Sequence, residues 1–420
     1  MLLKQPPSMQ LNILLFKIIK RLKKVTQKVL PLRTYLRPTG VLLLLPLNAI
    51  AESEKSEVIA HVIYPKYVTT LDISEELYQV CSEYWKPERS VITDYIVAEI
   101  PNGRLLTDNE SSIAIITKDN KVVDNVSLSL HDGKVTPQEN NSIFKQRMFS
   151  EPVYFKGTVF TMLSGGAGIN NIGHWFLDVL PRLHLLQKSG LYDEVDWFLV
   201  PSMRYSYQTE TLEILGIPRE KIITGEEYPH ITSDRLIAST APRGNHSLVP
   251  KWLIDYTRNA FLPVVANDQQ QVENAADPYL FISRRDSSIR NILNEEELQQ
   301  VLGQYGFNTI LSSKLSITDK IKLFSKAKIV LSPTGAGLIS MLFCQPGTKL
   351  VEIFNEGFVI EPFFDIATKL NLDYEYIICK AQGKKATNAK QGQLDHLVVE
   401  TEKVEQLLEQ MIESDSPVNS

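Results

Sequence analysis

The chain has 420 residues, 43% apolar and 22% charged, with a formal net charge of −5. That length favours two domains with their own cores, and the composition is ordinary for a soluble globular protein. Nine of the 44 basic residues and no acidic residue precede Glu52, leaving 35 basic against 49 acidic residues, about −14, which argues against general nucleic-acid binding. Cys81, Cys344 and Cys379 are odd in number and far apart, so neither a disulfide framework nor a Cys-x-x-Cys metal site is expected, and a reducing compartment fits.

Residues 1–51 read as a basic amphipathic leader. Within it, residues 11–29 set Leu11, Leu14, Leu15, Ile18, Ile19, Leu22 and Val25 against Lys17, Lys20, Arg21, Lys23, Lys24 and Lys28. Such a helix can lie on an anionic membrane surface. The apolar run 41–47 is too short to span a bilayer. The expected location is cytoplasmic, with peripheral contact on the inner face of the plasma membrane.

Residues 52–262 form the expected first α/β domain. Short β-branched runs at 90–100, 113–116 and 153–160 read as strands, and Asp132-Gly133 as a hairpin turn. From Gly165 the pattern turns helical, with Pro181 kinking the helix or opening a second segment. A strand at 197–200, a helix at 207–215 and strands near 221–223 and 235–238 follow. The polar stretch 263–277 reads as a linker.

Residues 278–385 give the clearest alternation of strands and helices. Strands are expected at 279–283, 308–311, 329–332, 349–354 and 374–378. The helices between them end near 305, 326, 343 and 370, with Asn294 and Ser316 as N-caps. This alternation implies a parallel doubly wound sheet, whose ligands bind beyond the carboxyl ends of the strands. Residues 386–420 read as a last strand and helix with a frayed tail.

Residues 164–184 pack Gly165, Gly166, Gly168, Asn170, Asn171 and Gly173 into a loop entering a helix that carries His174 and Asp178. Those two sit four apart, on one helix face. Imidazole titrates near neutrality, so His174 is a candidate general base with Asp178 orienting it. Alternatively Asp178 is the base, or a structural partner of Arg182. His184 falls elsewhere on the helix and reads as structural.

In the later unit, Thr334-Gly335-Ala336-Gly337 joins a strand to a helix, where backbone N–H groups can hold a phosphate. The same glycines equally serve tight packing. Arg284 and Arg285 end a strand of the same sheet and could clamp a diphosphate, or merely face solvent. Arg290 is a further candidate. Glu352 lies in an otherwise apolar strand, where a carboxylate needs a partner. It contacts a ribose or donor sugar, or pairs with an arginine. There is no P-loop lysine, no Gly-x-Gly-x-x-Gly, no Asp-x-Asp and no Gly-x-Ser-x-Gly, so no bound metal and no serine nucleophile are expected. Two loops in two α/β units suggest a two-domain transferase.

Three ordered motifs carry a family resemblance over about residues 150–360: Asn170-Asn171-Ile172-Gly173-His174-Trp175-Phe176-Leu177-Asp178-Val179-Leu180-Pro181-Arg182-Leu183; Ile282-Ser283-Arg284-Arg285 with Arg290 and Asn294-Glu295; and Gly335-Ala336-Gly337-Leu338 through Pro346-Gly347-Thr348 to Val351-Glu352-Ile353. This pattern resembles glycosyltransferase family 61, of capsular polysaccharide biosynthesis type. Thr334 and Ser340 depart from it, standing where many members have His and Asn.

The resemblance implies a GT-B-like α/β fold, two Rossmann-like domains facing a cleft. It implies an inverting, metal-independent glycosyltransferase with no cofactor, using a nucleotide sugar, most simply UDP-linked. The acceptor would be a glycan or a lipid-linked intermediate of surface polysaccharide. In this reading His174 and Asp178 are catalytic. Arg284, Arg285, Thr334, Gly335, Ala336 and Gly337 bind the donor diphosphate. Glu352 touches ribose or sugar, and Asn170, Asn171 and Gly173 form the acceptor-side loop. The alternative is a non-catalytic glycan- or nucleotide-binding subunit of a polysaccharide assembly system.

Overall fold

The computed structural model describes residues 35–44, 57–266, 279–381 and 389–413. The basic stretch 11–29, most of the expected linker and the tail beyond 413 lie outside the described residues.

The first sheet contains β1 (Gly40–Leu42), β2 (Ile59–Thr70), β3 (Ser90–Pro101), β4 (Arg104–Thr107), β5 (Ser112–Ile116), β6 (Lys121–Val123), β7 (Leu128–His131), β8 (Lys134–Val135), β9 (Val153–Thr161), β10 (Trp197–Val200), β11 (Ile222–Thr224) and β12 (His230–Ser239). Its main path runs β1-β6-β5-β4-β12-β9-β10-β11. The run β12-β9-β10-β11 is parallel, whereas β2, β3, β4 and β5 pair antiparallel. The first half is therefore a mixed sheet, with a parallel run beside antiparallel hairpins. Short hairpins explain this: antiparallel neighbours need only a tight turn, while each parallel crossover needs a helix. At the β7–β8 turn, Asp132 and Gly133 have φ of 49° and 81°, the paired left-handed residues of a hairpin turn.

Within the segment read as leader, Gly40–Leu42 form β1, which pairs with β6 from Gly40 opposite Lys121 to Leu42 opposite Val123. Arg104 fixes this segment further by donating to the Leu36 carbonyl at 2.9 Å. At the other end of the domain, helix Lys251–Phe261 continues into a short helical turn, Pro263–Ala266, where the linker was expected to begin.

The second sheet contains β13 (Tyr279–Ser283), β14 (Asn308–Leu311), β15 (Ile329–Pro333), β16 (Lys349–Asn355), β17 (Asp373–Ala381) and β18 (Leu397–Val398). Its order is β14-β13-β15-β16-β17-β18, parallel except for the last pair. Near-continuous apolar strands suit a sheet covered on both faces. Ser316 caps helix Ile317–Phe324, accepting from the Asp319 amide at 3.0 Å. Asn294 does not cap helix Glu295–Gln304. Its side chain instead bonds both backbone groups of Val399, at 2.8 and 3.0 Å. That tie joins the C-terminal segment to the second half, where Leu397, Val404, Leu408 and Met411 of that segment share a core with Phe281, Leu331 and Val351.

The two halves are continuous through one apolar core. Phe176 from the first half, Phe261 from the bridging helix and Phe343 from the second lie with ring centroids 5.5–6.2 Å apart. Arg258 reinforces the bridge by donating to the carbonyls of Leu342 and Cys344 at 2.7 and 2.6 Å. No helix among the described residues is long and apolar enough to cross a membrane.

Candidate functional site

In the second sheet the chain passes from β13 to β14 on one side, then crosses back to β15 on the other side of β13. The carboxyl ends of β13 and β15 thus flank the point where strand order reverses, the ordinary ligand crevice of an open α/β sheet. A cleft of about 320 Å³ opens there. Ser283, Arg284 and Asp286 line it after β13, Ser312, Ser313 and Leu315 after β14, and Ala336 and Gly337 after β15. The first half supplies the other wall: Asn170, Asn171 and Ile172, with Tyr205 and Tyr207 beyond the carboxyl end of β10. Both sheets therefore aim parallel-strand ends at one crevice.

The glycine-rich entry is built from short pieces. Of the loop glycines, Gly165 takes a left-handed φ of 80° that favours glycine. Gly168 is required for space, since a Cβ there would stand 2.2 Å from Ser164 Oγ. Asn171 caps the next turn, accepting from the amides of Gly173 and His174 at 2.9 and 3.2 Å. Residues Trp175–Val179 then form a π-helical turn, a rare widening often found at functional sites. Helix Arg182–Ser189 restarts directly after Pro181, in keeping with that residue's lack of an N–H.

His174 and Asp178 meet, with Nδ1 2.7 Å from Oδ2. Because an ionised carboxylate only accepts, Nδ1 carries the proton, which in the neutral imidazole puts the lone pair on Nε2. The third member, Arg243, carries no sequence signal. Its Nε and Nη2 donate to the two oxygens of Asp178, each at 2.8 Å. Burial alone would raise the Asp178 carboxyl, but Arg243 and His174 outweigh it and hold the group well below the usual carboxylate range. Arg182 does not pair with the Asp178 carboxylate; it donates to the Asp178 carbonyl at 3.0 Å and to the Ser239 carbonyl at 2.8 Å. The His174 side chain remains 40% exposed, so the imidazole is reachable. His184 is enclosed between Tyr64 and Trp252, and burial lowers its pKa to about 4.

The two arginines after β13 part company. Arg284 turns inward under the glycine loop, where a Cβ on Gly335 would stand 1.8 Å from Nη1. Its Nη2 bonds Ser287 Oγ and the Ile289 carbonyl at 3.0 and 3.3 Å, while Nε is buried without a partner. Arg285 instead points to helix Glu295–Gln304 and pairs with Glu295 at 2.9 Å. Arg290 takes a place beside the loop, donating to the Thr334 carbonyl at 3.2 Å, and burial lowers it to about 10. Neither Arg284 nor Arg290 forms an ion pair among the described residues. A buried guanidinium (Arg290) and a half-buried one (Arg284) with no paired carboxylate are costly, and an anionic ligand would relieve that cost.

Beyond the loop, helix Ala336–Phe343 makes its first turn bond from Leu338 N–H to the Gly335 carbonyl at 2.9 Å. The amides of Ala336 and Gly337 precede that bond and stand at the cleft. Thr334 is buried beside Glu352, and Ser340 Oγ is buried without a hydrogen-bond partner. Glu352 is fully buried and does not line the cleft. It accepts from Tyr374 O–H at 2.8 Å rather than pairing with an arginine, and burial pushes its carboxyl up to about 8. Among the described residues no group of three His, Cys, Asp or Glu side chains could hold a metal ion.

The family model for glycosyltransferase 61 matches residues 172–351. That span begins at Ile172 in the entry loop and takes in the arginine and glycine-loop motifs. Two curated relatives, both Protein O-linked-mannose beta-1,4-N-acetylglucosaminyltransferase 2, align over part of the chain. The Xenopus tropicalis protein is 32% identical over 137 residues, 30% of this chain and 24% of that one. The Xenopus laevis protein is 33% identical over 111 residues, 25% of this chain and 19% of that one. The chain thus spans a quarter or less of these relatives. Among solved structures, the iron-containing dodecameric glycosyltransferase TibC from enterotoxigenic E. coli aligns with a TM-score of 0.27 and 11% identity, over 70% of this chain and 81% of that one.

Proposed function

We propose that this chain, whose residues 172–351 match glycosyltransferase 61, is an inverting glycosyltransferase using a nucleotide-sugar donor. The observation that carries the reading is one juxtaposition. The turn that leads into His174 meets the Gly335–Gly337 loop at the switch-point cleft: Asn171 and Ile172 line it together with Ala336 and Gly337, and Gly173 lies against Ala336, so the candidate base adjoins the anion site although His174 itself is not among the lining residues.

The donor diphosphate lies against Arg284 and the amides of Ala336 and Gly337, at the positive end of helix Ala336–Phe343. Arg290 braces the loop through the Thr334 carbonyl. Arg285 is left out, because Glu295 already engages it. Glu352 acts from beneath the loop rather than as a direct sugar or ribose contact. Tyr205 and Tyr207, stacked at 5.6 Å, give the cleft an aromatic wall suited to a nucleoside.

In the transfer, an acceptor hydroxyl attacks the anomeric carbon opposite the diphosphate. The new O–C bond forms as the bond from that carbon to the diphosphate oxygen breaks. The hydroxyl proton passes to His174 Nε2, and the electron pair leaves with the diphosphate. Arg284 and the helix amides are already oriented toward the charge that develops on the leaving group.

The acceptor is a glycan or a lipid-linked intermediate of surface polysaccharide, met at the cytoplasmic face of a membrane. The basic pattern of residues 11–29 supports a membrane-presented acceptor. No cofactor and no resident metal is assigned.

A thermal-shift panel of nucleotide sugars, with EDTA present, tests the donor assignment. UDP or a UDP-sugar should raise the melting temperature, and Arg284→Ala should abolish the rise. Absence of a shift with every nucleotide would favour a non-catalytic glycan-binding subunit.

A further inference from the structure

We propose that Arg243 is a positioning residue that keeps His174 in its neutral, proton-accepting form and ties that state to the second half of the molecule. The inference rests on the reading of His174 as the base.

The geometry is a fork on a strap. Arg243 grips both oxygens of Asp178 at 2.8 Å, and its Nη2 lies 3.5 Å from His174 Nδ1. Asp178 is thus neutralised before the imidazole gains a charge. A second proton on His174 would set a cation against Arg243 beside a carboxylate that is already paired. Nearby positive charge of this kind disfavours the imidazolium. The fork also holds Asp178 where it accepts Nδ1–H, which sets the tautomer that puts the lone pair of the neutral ring on Nε2.

Arg243 itself is held by the loop between β12 and helix Lys251–Phe261. Its Nη1 donates to the Ser247 carbonyl at 3.2 Å. Toward the first half, Tyr95 O–H bonds the Pro242 carbonyl at 3.0 Å and Thr93 Oγ1 meets His246 Nε2 at 3.2 Å. Toward the second half, the Val249 amide donates to Asp365 at 2.7 Å, and Lys369 donates to the Val249 carbonyl at 2.7 Å and to Asp365 at 2.6 Å. Asp365 and Lys369 belong to helix Pro362–Lys369.

The charges facing the Arg243–Asp178 pair are therefore Arg182 from the adjoining helix, Glu361 at the N-cap of helix Pro362–Lys369 and Asp365 within it, with Lys369 paired to Asp365. His246 lies on the same strap and is held neutral by burial, at about 4. The two acidic groups support the guanidinium, so a displacement of that helix would reach His174 through Arg243.

The test is an NMR titration of the His174 imidazole in the wild-type protein, Arg243→Gln and Arg243→Lys, with turnover measured across pH. Arg243→Gln should raise the His174 midpoint by about one pH unit, a tenfold change in proton affinity, and move the acidic limb of the turnover profile up by the same amount. Arg243→Lys, which keeps the cation, should recover most of both. Asp365→Asn leaves the fork intact and loosens its seat. It should give a smaller upward shift, and it serves if Arg243→Gln does not fold. An unchanged His174 midpoint in Arg243→Gln, or in Asp365→Asn where the first variant is not folded, would overturn the inference. Full turnover in His174→Ala with the midpoint shift still present would instead overturn the base reading alone.

Discussion

Gly173 of the first half lies against Ala336 of the second: a Cβ on Gly173 would stand 3.7 Å from both the Cα and the Cβ of Ala336. These residues are far apart in the chain, yet their contact brings the entry loop and the anion loop to one cleft. The same Cβ would come within 3.1 Å of Asn171 Oδ1, which caps the turn carrying His174. Gly173 therefore serves spacing in two directions at once.

Gly173→Ala should be mild, because only the cap must give by a few tenths of an ångström. Gly173→Val places branches into Ala336 and should destabilise by about 1–3 kcal/mol, the usual range for overpacking. It should also lower turnover by at least roughly tenfold, since displaced catalytic geometry is costly. Denaturant melts and initial rates on both variants check this; equal rates would show that the contact does not set the site.

A side chain at position 335 meets Arg284. Gly335→Ala puts its Cβ where the guanidinium lies, and Ser287 and the Ile289 carbonyl hold that group in place. Nucleoside-diphosphate affinity, measured by calorimetry, should fall at least about tenfold, roughly the loss of one charged hydrogen bond. Unaltered affinity would remove Arg284 from the donor site.

The paired arginines should behave differently. Arg284→Ala should lose nucleotide binding. Arg285→Ala should bind within about twofold of wild type, because its half-exposed guanidinium is engaged by the buried Glu295 rather than by the cleft. A loss from Arg285→Ala equal to that from Arg284→Ala would restore the clamp of both residues expected from the sequence.

Much of the second half was legible in the sequence because its strands are short apolar runs between capped amphipathic helices. The strand at 279–283 and the Ser316 cap are read directly from that pattern. The first half was less legible. β2 mixes exposed and half-buried positions with register shifts, so it lacks a clean alternation. Likewise β1 is a three-residue strand whose partner lies about 80 residues on.

At the site, His174 and Asp178 were recoverable because helical spacing is local. Arg243 was not, because a loop arginine 65 residues from Asp178 carries no periodic signal. Adjacent in sequence, Arg284 and Arg285 could not be separated by spacing. Their divergence is set by where the chain turns after β13 and by the carboxylate at the start of the next helix.

Glu352 makes stability depend on pH. Its folded pKa, about 8, lies above the ordinary 4.5 because burial penalises the charged form. The folded state therefore holds more protons than the unfolded state between those values. Its contribution is fully present below about 4.5 and is lost as pH rises through about 8, with a slope of at most about 1.4 kcal/mol per unit. Glu352→Gln should remove that slope. Urea melts at several pH values check it; an unchanged slope in the variant would place the titrating group elsewhere.

The most direct test of the central claim is turnover by His174→Ala alongside its nucleotide binding. Nucleoside-diphosphate release from a stabilising nucleotide sugar, with acceptor present, should fall by about 10²–10⁴, the usual contribution of a general base. Donor affinity should stay within a few-fold of wild type, because the proposed diphosphate contacts, Arg284 and the amides of Ala336 and Gly337, come from the second half. Turnover unchanged in His174→Ala would contradict the account and move the proton acceptor elsewhere.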